Sequence, residues 1–305
     1  MAERGLEPEF PAAARKELEA IAGPGRDPDP RIRDLRALPW CSIDNDDSLD
    51  LDQLTACEVL ADGAMRVHVA VADVDSLVRK GSAIDAHALA NTTSVYTSAK
   101  VFPMLPERLS TDLTSLNPGQ DRLAIVTEMT VAMDASVTHS AVCRALVHNK
   151  AKLAYDAVSA WIDGEGALPE AARAVPGMDA QLRAQDDVAQ RLRIRRHAQG
   201  SLELETFQPR ALFDGEKVVD IRQQVQNRAR QLIEELMIAT NTCTARFLAD
   251  SGGASLRRVV RSPERWLRIA EVAKRYGEVL PSQPDSRALE AFLARRHRAD
   301  PLRFP

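Results

Sequence analysis

Between Ile43 and Leu54 the chain reads IDNDDSLDLDQL, with five aspartates in the nine positions from Asp44 to Asp52. Carboxylates this close raise one another's cost of ionisation, so a fold that gathers them needs water or a cation among them. On composition alone the run fits a solvated loop ending a strand as well as it fits a metal site. Spacing helps to separate the two. Asp50 and Asp52 alternate with Leu49 and Leu51, so on an extended segment both carboxylates share one side while both leucines face a core. Oxygen donors with no His nearby select a hard cation, magnesium or alternatively manganese, over zinc. An EF-hand loop counted from Asp44 requires Gly and Glu where the chain has Leu49 and Thr55. With basic surface elsewhere and no GxxxxGK[ST] loop, the pattern points to phosphodiester chemistry, and nuclease, phosphatase and polymerase all stay open.

Charge is spread unevenly along the chain. From Ser251 to Pro305 twelve Arg or Lys stand against six Asp or Glu, a balance of +6 within a total of −4, which leaves −10 for the first 250 residues. From Ile43 to Met65 there are seven Asp or Glu and neither Lys nor Arg. The 45% hydrophobic content is that of a globular protein and excludes a disordered acidic tail. Four cysteines without CxxC spacing argue against structural zinc and a disulfide framework, and so for a reducing compartment. Met1 to Phe10 carries acids and Pro where a signal peptide needs a basic patch and an apolar run. No segment approaches the ~20 apolar residues of a membrane span. The expectation is a soluble cytoplasmic protein without a membrane partner.

Periodicity predicts an α+β fold. A helix over Pro11 to Ala22 and the breaker GPGRDPDPR at Gly23 to Arg31 make residues 1–38 an N-terminal extension, a helix plus a Pro/Gly-rich linker. Strands are predicted at Trp40 to Ile43, Met65 to Ala72, Leu123 to Val131 and Val137 to Val147. Beyond Lys152 the period turns helical, at Ala189 to His197, Arg228 to Ala249, Pro263 to Tyr276 and Arg287 to Arg296. Leu232, Leu236, Ala239, Cys243 and Phe247 make one apolar stripe. A curved antiparallel sheet surrounded by helices is the simplest arrangement.

The acidic string is followed by VHVAVADV at Val67 to Val74, TSVYTSAKVFPMLPERLSTDLTSLNPGQDRLAIV at Thr93 to Val126 and AYDAVSAW at Ala154 to Trp161. These blocks, in this order over Leu38 to Leu248, resemble the catalytic RNB domain of the ribonuclease II/ribonuclease R family. The resemblance implies an RNB-type catalytic domain over residues 39–305. It also implies a processive, magnesium-dependent hydrolase that degrades single-stranded RNA from its 3′ end to nucleoside 5′-monophosphates, using two metal ions about 3.5–4 Å apart.

By position, the resemblance makes Asp44 and Asp50 metal ligands and Asp52 the acid on which hydrolysis most depends. Gln53 stands where the family has a fourth aspartate, which implies weaker metal binding. Asp46 and Asp47 fall at variable positions. Tyr96 matches an aromatic that stacks on bases at the channel entrance, and Tyr155 one that lies against the terminal nucleotide near the metals. Leu204 replaces a second stacking Phe, so the bases are held less tightly there. The segment from Arg228 matches RxxxEExM and makes Glu235 a contact to the terminal ribose. Arg191, Arg193, Arg195 and Arg196 are read as a solvated helix face.

The chain departs from the family in lacking flanking OB-type barrels and a block like TSPIRRYxDL, whose arginine clamps the scissile phosphate. The expectation is that the C-terminal part of the catalytic domain is missing and supplied, if at all, by another chain. The alternative function is a catalytically incomplete RNA-binding or scaffolding module. The clustered acids favour the nuclease, because a pure binder gains nothing from holding them against anionic RNA.

Overall fold

A computed structural model describes residues 1–97, 100–202, 209–215, 217–223, 226–256 and 264–301. The first half contains α1 (Ala12–Ala20), β1 (Arg33–Asp34), β2 (Cys41–Asp44), β3 (Gln53–Val59), β4 (Met65–Ala72), α2 (Ala83–Asn91), β5 (Val95–Tyr96), β6 (Val101–Phe102), β7 (Asp121–Val131) and β8 (Val137–His148). Then come β9 (Ala151–Ala154), α3 (Tyr155–Ile162), α4 (Glu170–Arg173), α5 (Met178–Ala198), β10 (Pro209–Asp214), β11 (Lys217–Gln223), α6 (Arg228–Asp250), α7 (Trp266–Arg275) and α8 (Ser286–Ala299). Among the described residues no helix is long and apolar enough to cross a membrane.

Seven strands form the central sheet in the order β1-β8-β7-β4-β3-β2-β9. Its interior pairs are antiparallel, as the alternation in Met65 to Ala72 predicts. Both edges add a parallel pair, β1 with β8 and β2 with β9. Alternation sorts the side chains onto two faces. Ile43, Cys57, Val67, Val69 and Met129 meet α3, α5 and α6 through Val158, Leu182, Val188, Leu232 and Leu236. Leu54, Ala70, Val126 and Val147 point the other way and are covered by Trp40, Leu116 and the segment through Leu35 and Leu38. Each fully buried aliphatic contributes about 1.5–3 kcal/mol, so the two faces together account for most of the driving force.

Some expectations change in detail. The α6 stripe is buried at Leu232, Leu236, Ala239 and Cys243, but Phe247 is 43% exposed because the buried positions of this helix end at Cys243. The first 38 residues dock onto the domain. Phe10, Ala14, Leu18 and Ile21 pack with Ile84, Leu109 and Leu113, and β1 joins the sheet. Helices α7 and α8 share a small core of Trp266, Ala273, Leu289 and Phe292, and the His197 to Glu290 contact of 2.9 Å ties it to α5.

Candidate active site

The acidic run bridges two sheet strands. Asp44 ends β2, and Asp52 immediately precedes β3. Within the turn, Asp44 Oδ1 accepts from Asn45 N at 2.7 Å and from Ser48 Oγ at 2.9 Å. This is the local capping by which Asp, Asn and Ser favour turns. Lys152, on β9, donates its Nζ to Ser48 O at 2.6 Å and to Asp46 O at 3.2 Å, holding the turn by its backbone.

The end of the run is clamped from another direction. Leu51 N donates to Ser115 Oγ at 3.0 Å, Ser115 Oγ donates to Leu49 O at 2.8 Å, and Leu116 N donates to Leu51 O at 2.8 Å. Asp52 O accepts from Ala72 N at 3.0 Å. This corrects the expectation of two core leucines. Leu51 is 2% exposed and Leu49 is 61% exposed, because the extended alternation begins only where the Ser115 clamp takes hold.

The described partners of these carboxylates are neutral. Asp44 has Asn45 and Ser48, and Asp50 Oδ2 has the Tyr96 hydroxyl at 3.4 Å. Asp52 keeps solvent access, yet the protein around it removes part of its hydration. That desolvation, followed by the charges of Asp44 and then Asp50, raises its pKa above the usual carboxylate range. Gln53 is buried, with Nε2 donating to Ile43 O at 3.2 Å. Among the described residues no group of three His, Cys, Asp or Glu side chains converges as a ready-made metal cage. The donor types are nevertheless those that suit a hard cation: oxygen atoms, excess negative charge and, among the described residues, no Lys or Arg paired with the acids.

Two tyrosines flank the acids. The parallel register of β2 and β9 sets Asp44 opposite Ala154, and Tyr155 follows as the first residue of α3. Burial, then the negative charge of Asp44, push the Tyr155 phenol up to about 12, with Arg230 opposing and Asp52 adding. The Arg230 guanidinium lies 4.4 Å from the Tyr155 ring centre and donates to Asn45 Oδ1 at 2.8 Å. Asn227 caps α6 by accepting from Arg230 N at 3.0 Å and donates to Asp156 Oδ1 at 2.8 Å, which locks the start of α6 to α3. Tyr96, on the β5–β6 hairpin, is 68% exposed and offers its ring to solvent.

Other expected site residues are placed differently. Glu235 is 2% exposed, and both of its oxygens are held by Arg196 of α5, through Nη2 and through Nε at 3.1 Å. Its described partner is therefore an arginine, and Arg196 does not belong to a wholly solvated face. Arg191 and Arg195 do pair at the surface, with Asp187 and Asp134. Leu204 lies outside the described residues. Sequence reasoning passed over Ser48, Ser115, Lys152 and Arg230. Ser48, Ser115 and Arg230 did carry a signal, since they lie inside the IDNDDSLDLDQL, TSLNPGQ and RxxxEExM blocks; Lys152 carried none.

The RNB domain family model matches residues 32–301. Ribonuclease R of Vibrio parahaemolyticus is 37% identical over 231 residues, covering 75% of this chain and 27% of that protein. Exoribonuclease 2 of Klebsiella pneumoniae is 35% identical over 227 residues, covering 72% of this chain and 34% of its own length. The chain thus spans between a quarter and about a third of these curated relatives. Mycoplasma genitalium RNase R, solved in complex with ribose-methylated single-stranded RNA, superposes with a TM-score of 0.86 at 23% identity, over 99% of this chain and 47% of that one.

Proposed function

Since the chain belongs to the RNB family, we propose that it is the part of a 3′-to-5′ exoribonuclease that carries the acidic centre, and that it hydrolyses single-stranded RNA to nucleoside 5′-monophosphates. The observation that carries this reading is the set of three aspartates, Asp44, Asp50 and Asp52, whose described partners are all neutral. A protein that merely binds RNA would be weakened by such charge, since its affinity comes from neutralising phosphates.

Asp44, Asp50 and Asp52, with the Gln53 oxygen, are the residues that would hold magnesium. Magnesium bound there would supply an activated water and stabilise negative charge on the departing 3′ oxygen. The chain's own groups do the rest. Asp52 orients the attacking water by accepting a hydrogen bond from it at a carboxylate oxygen. Tyr155 stays a neutral phenol across the working pH range, so its ring meets the terminal nucleotide without repelling the phosphate. Tyr96 stacks on an incoming base, a contact that tolerates any sequence. Glu235 reaches a ribose hydroxyl only if Arg196 yields one of its oxygens. The four cysteines are free thiols, which supports a cytoplasmic setting.

The test is a 3′-labelled single-stranded RNA incubated with the 305-residue chain, with and without magnesium. Magnesium-dependent release of labelled 5′-monophosphate is the expected result. Salt-sensitive binding with intact RNA in both arms overturns the nuclease reading in favour of a binding module.

A further inference from the structure

Arg230 stands where three elements meet. It lies in the first turn of α6, its guanidinium lies over the ring of Tyr155 at the start of α3, and its Nη2 donates to Asn45 in the turn after β2. Asn45 is in turn bonded through its own N–H to Asp44 Oδ1 at 2.7 Å. One planar group thus connects the aromatic ring to the first acid of the turn. Asn227 and Asp156 brace the same junction from below.

We propose that Arg230 is a positioning residue that fixes the Tyr155 ring relative to the Asp44 turn, so that a nucleotide lying on the ring is presented to the acids in one orientation. The role needs an arginine. A guanidinium stacks on a ring with its flat face and donates sideways in the same plane, whereas an ammonium is a point charge that does one or the other. Arg230 acts through Tyr155 and Asn45, and its work is to keep alignment when RNA loads. The proposal rests on the reading of Tyr155 as the residue that meets the terminal nucleotide.

The chain has only three tyrosines, Tyr96, Tyr155 and Tyr276, so 3-fluorotyrosine labelling gives three fluorine resonances, and Tyr155→Phe assigns one of them. In Arg230→Met the Tyr155 resonance is expected to move while those of Tyr96 and Tyr276 stay, which also reports an intact fold. On single-stranded RNA, kcat falls by about tenfold to a hundredfold, the scale of a misplaced reacting group, and KM changes by less than about twofold. Arg230→Lys rescues neither property. Should Arg230→Met fail to fold, Asn45→Ala tests the other arm, and a lower kcat with an unmoved Tyr155 resonance is expected. An unmoved Tyr155 resonance in Arg230→Met, full rescue by Arg230→Lys, or unchanged kcat in Asn45→Ala overturns the proposal. An inactive wild-type chain sinks the nuclease reading instead, and the fluorine experiment then still decides whether Arg230 fixes Tyr155.

Discussion

Ser115 Oγ receives the amide of Leu51 at 3.0 Å, so a hydroxyl more than sixty positions along the chain holds the backbone between Asp50 and Asp52. The Ser115 side chain is buried and also satisfies Leu49 O. Two backbone groups of the acidic run therefore depend on one side chain.

Replacing Ser115 with Ala strands both groups. The expected loss is about 1–3 kcal/mol of unfolding free energy, the cost of a buried polar group without its partner. Turnover should fall more than RNA affinity, because the change loosens the carrier of the carboxylates and leaves the aromatic rings in place. Urea denaturation and single-turnover assays check this, and an unchanged urea midpoint contradicts it.

Asp52→Asn should abolish hydrolysis, leaving less than a few per cent of activity, with RNA affinity nearly unchanged. The same variant has a stability signature in metal-free buffer. The folded chain holds the Asp52 proton more tightly than the unfolded chain does, so wild type gains stability as pH falls through the range just above the ordinary carboxylate value. Asp52→Asn loses that gain and is the more stable protein at neutral pH. Denaturation curves at several pH values measure it.

Tyr96→Ala should weaken binding of single-stranded RNA by about 1–3 kcal/mol, the loss of one stacked base, while Tyr96→Phe keeps nearly all of it. Fluorescence anisotropy on an Asp52→Asn background separates binding from cleavage. Equal losses in both variants would show that the hydroxyl near Asp50, and not the ring, is what matters.

Burial pushes the thiols of Cys41 and Cys57 up to about 11 and about 12 from an ordinary 9.0. In the native chain they should resist a disulfide reagent at pH 8 while half-buried Cys143 reacts, and all four should react in denaturant. The unfolded chain releases these protons first, so stability falls as pH rises from about 9 towards the folded values. The loss is roughly 2 kcal/mol per thiol by pH 10.5. Cys57→Ala should flatten that slope.

The main strands were legible because Val67, Val69 and Val71 recur at every second position of β4, and α6 because its apolar residues recur at helical spacing. β3 was not, since Gln53 and Thr55 look polar; they lie on the α5 side, where Gln185 Oε1 accepts from Thr55 Oγ1 at 2.8 Å. Of the site, the acids and tyrosines could be named from motif blocks. Lys152 could not, because its role depends on a distant partner, Ser48 O, which no spacing reveals; Arg230 opens the RxxxEExM block, but its place over the Tyr155 ring shows only in the fold. Glu235 illustrates the reverse: its motif is local, but its partner Arg196 lies 39 positions away.

The pairing of β2 with β9 has a practical meaning for anyone recombining such domains. Asp44 and Tyr155 descend from one row of strand hydrogen bonds, in which Asp44 faces Ala154. Adding or removing a residue within 151–154 would flip the strand's faces and carry the ring away from the acid in one step. The stretch 163–167 after α3 is exposed and tolerates changes in length far better. Crossover points for chimaeras therefore belong in that loop and outside the two short strands, which should be inherited together as one cassette.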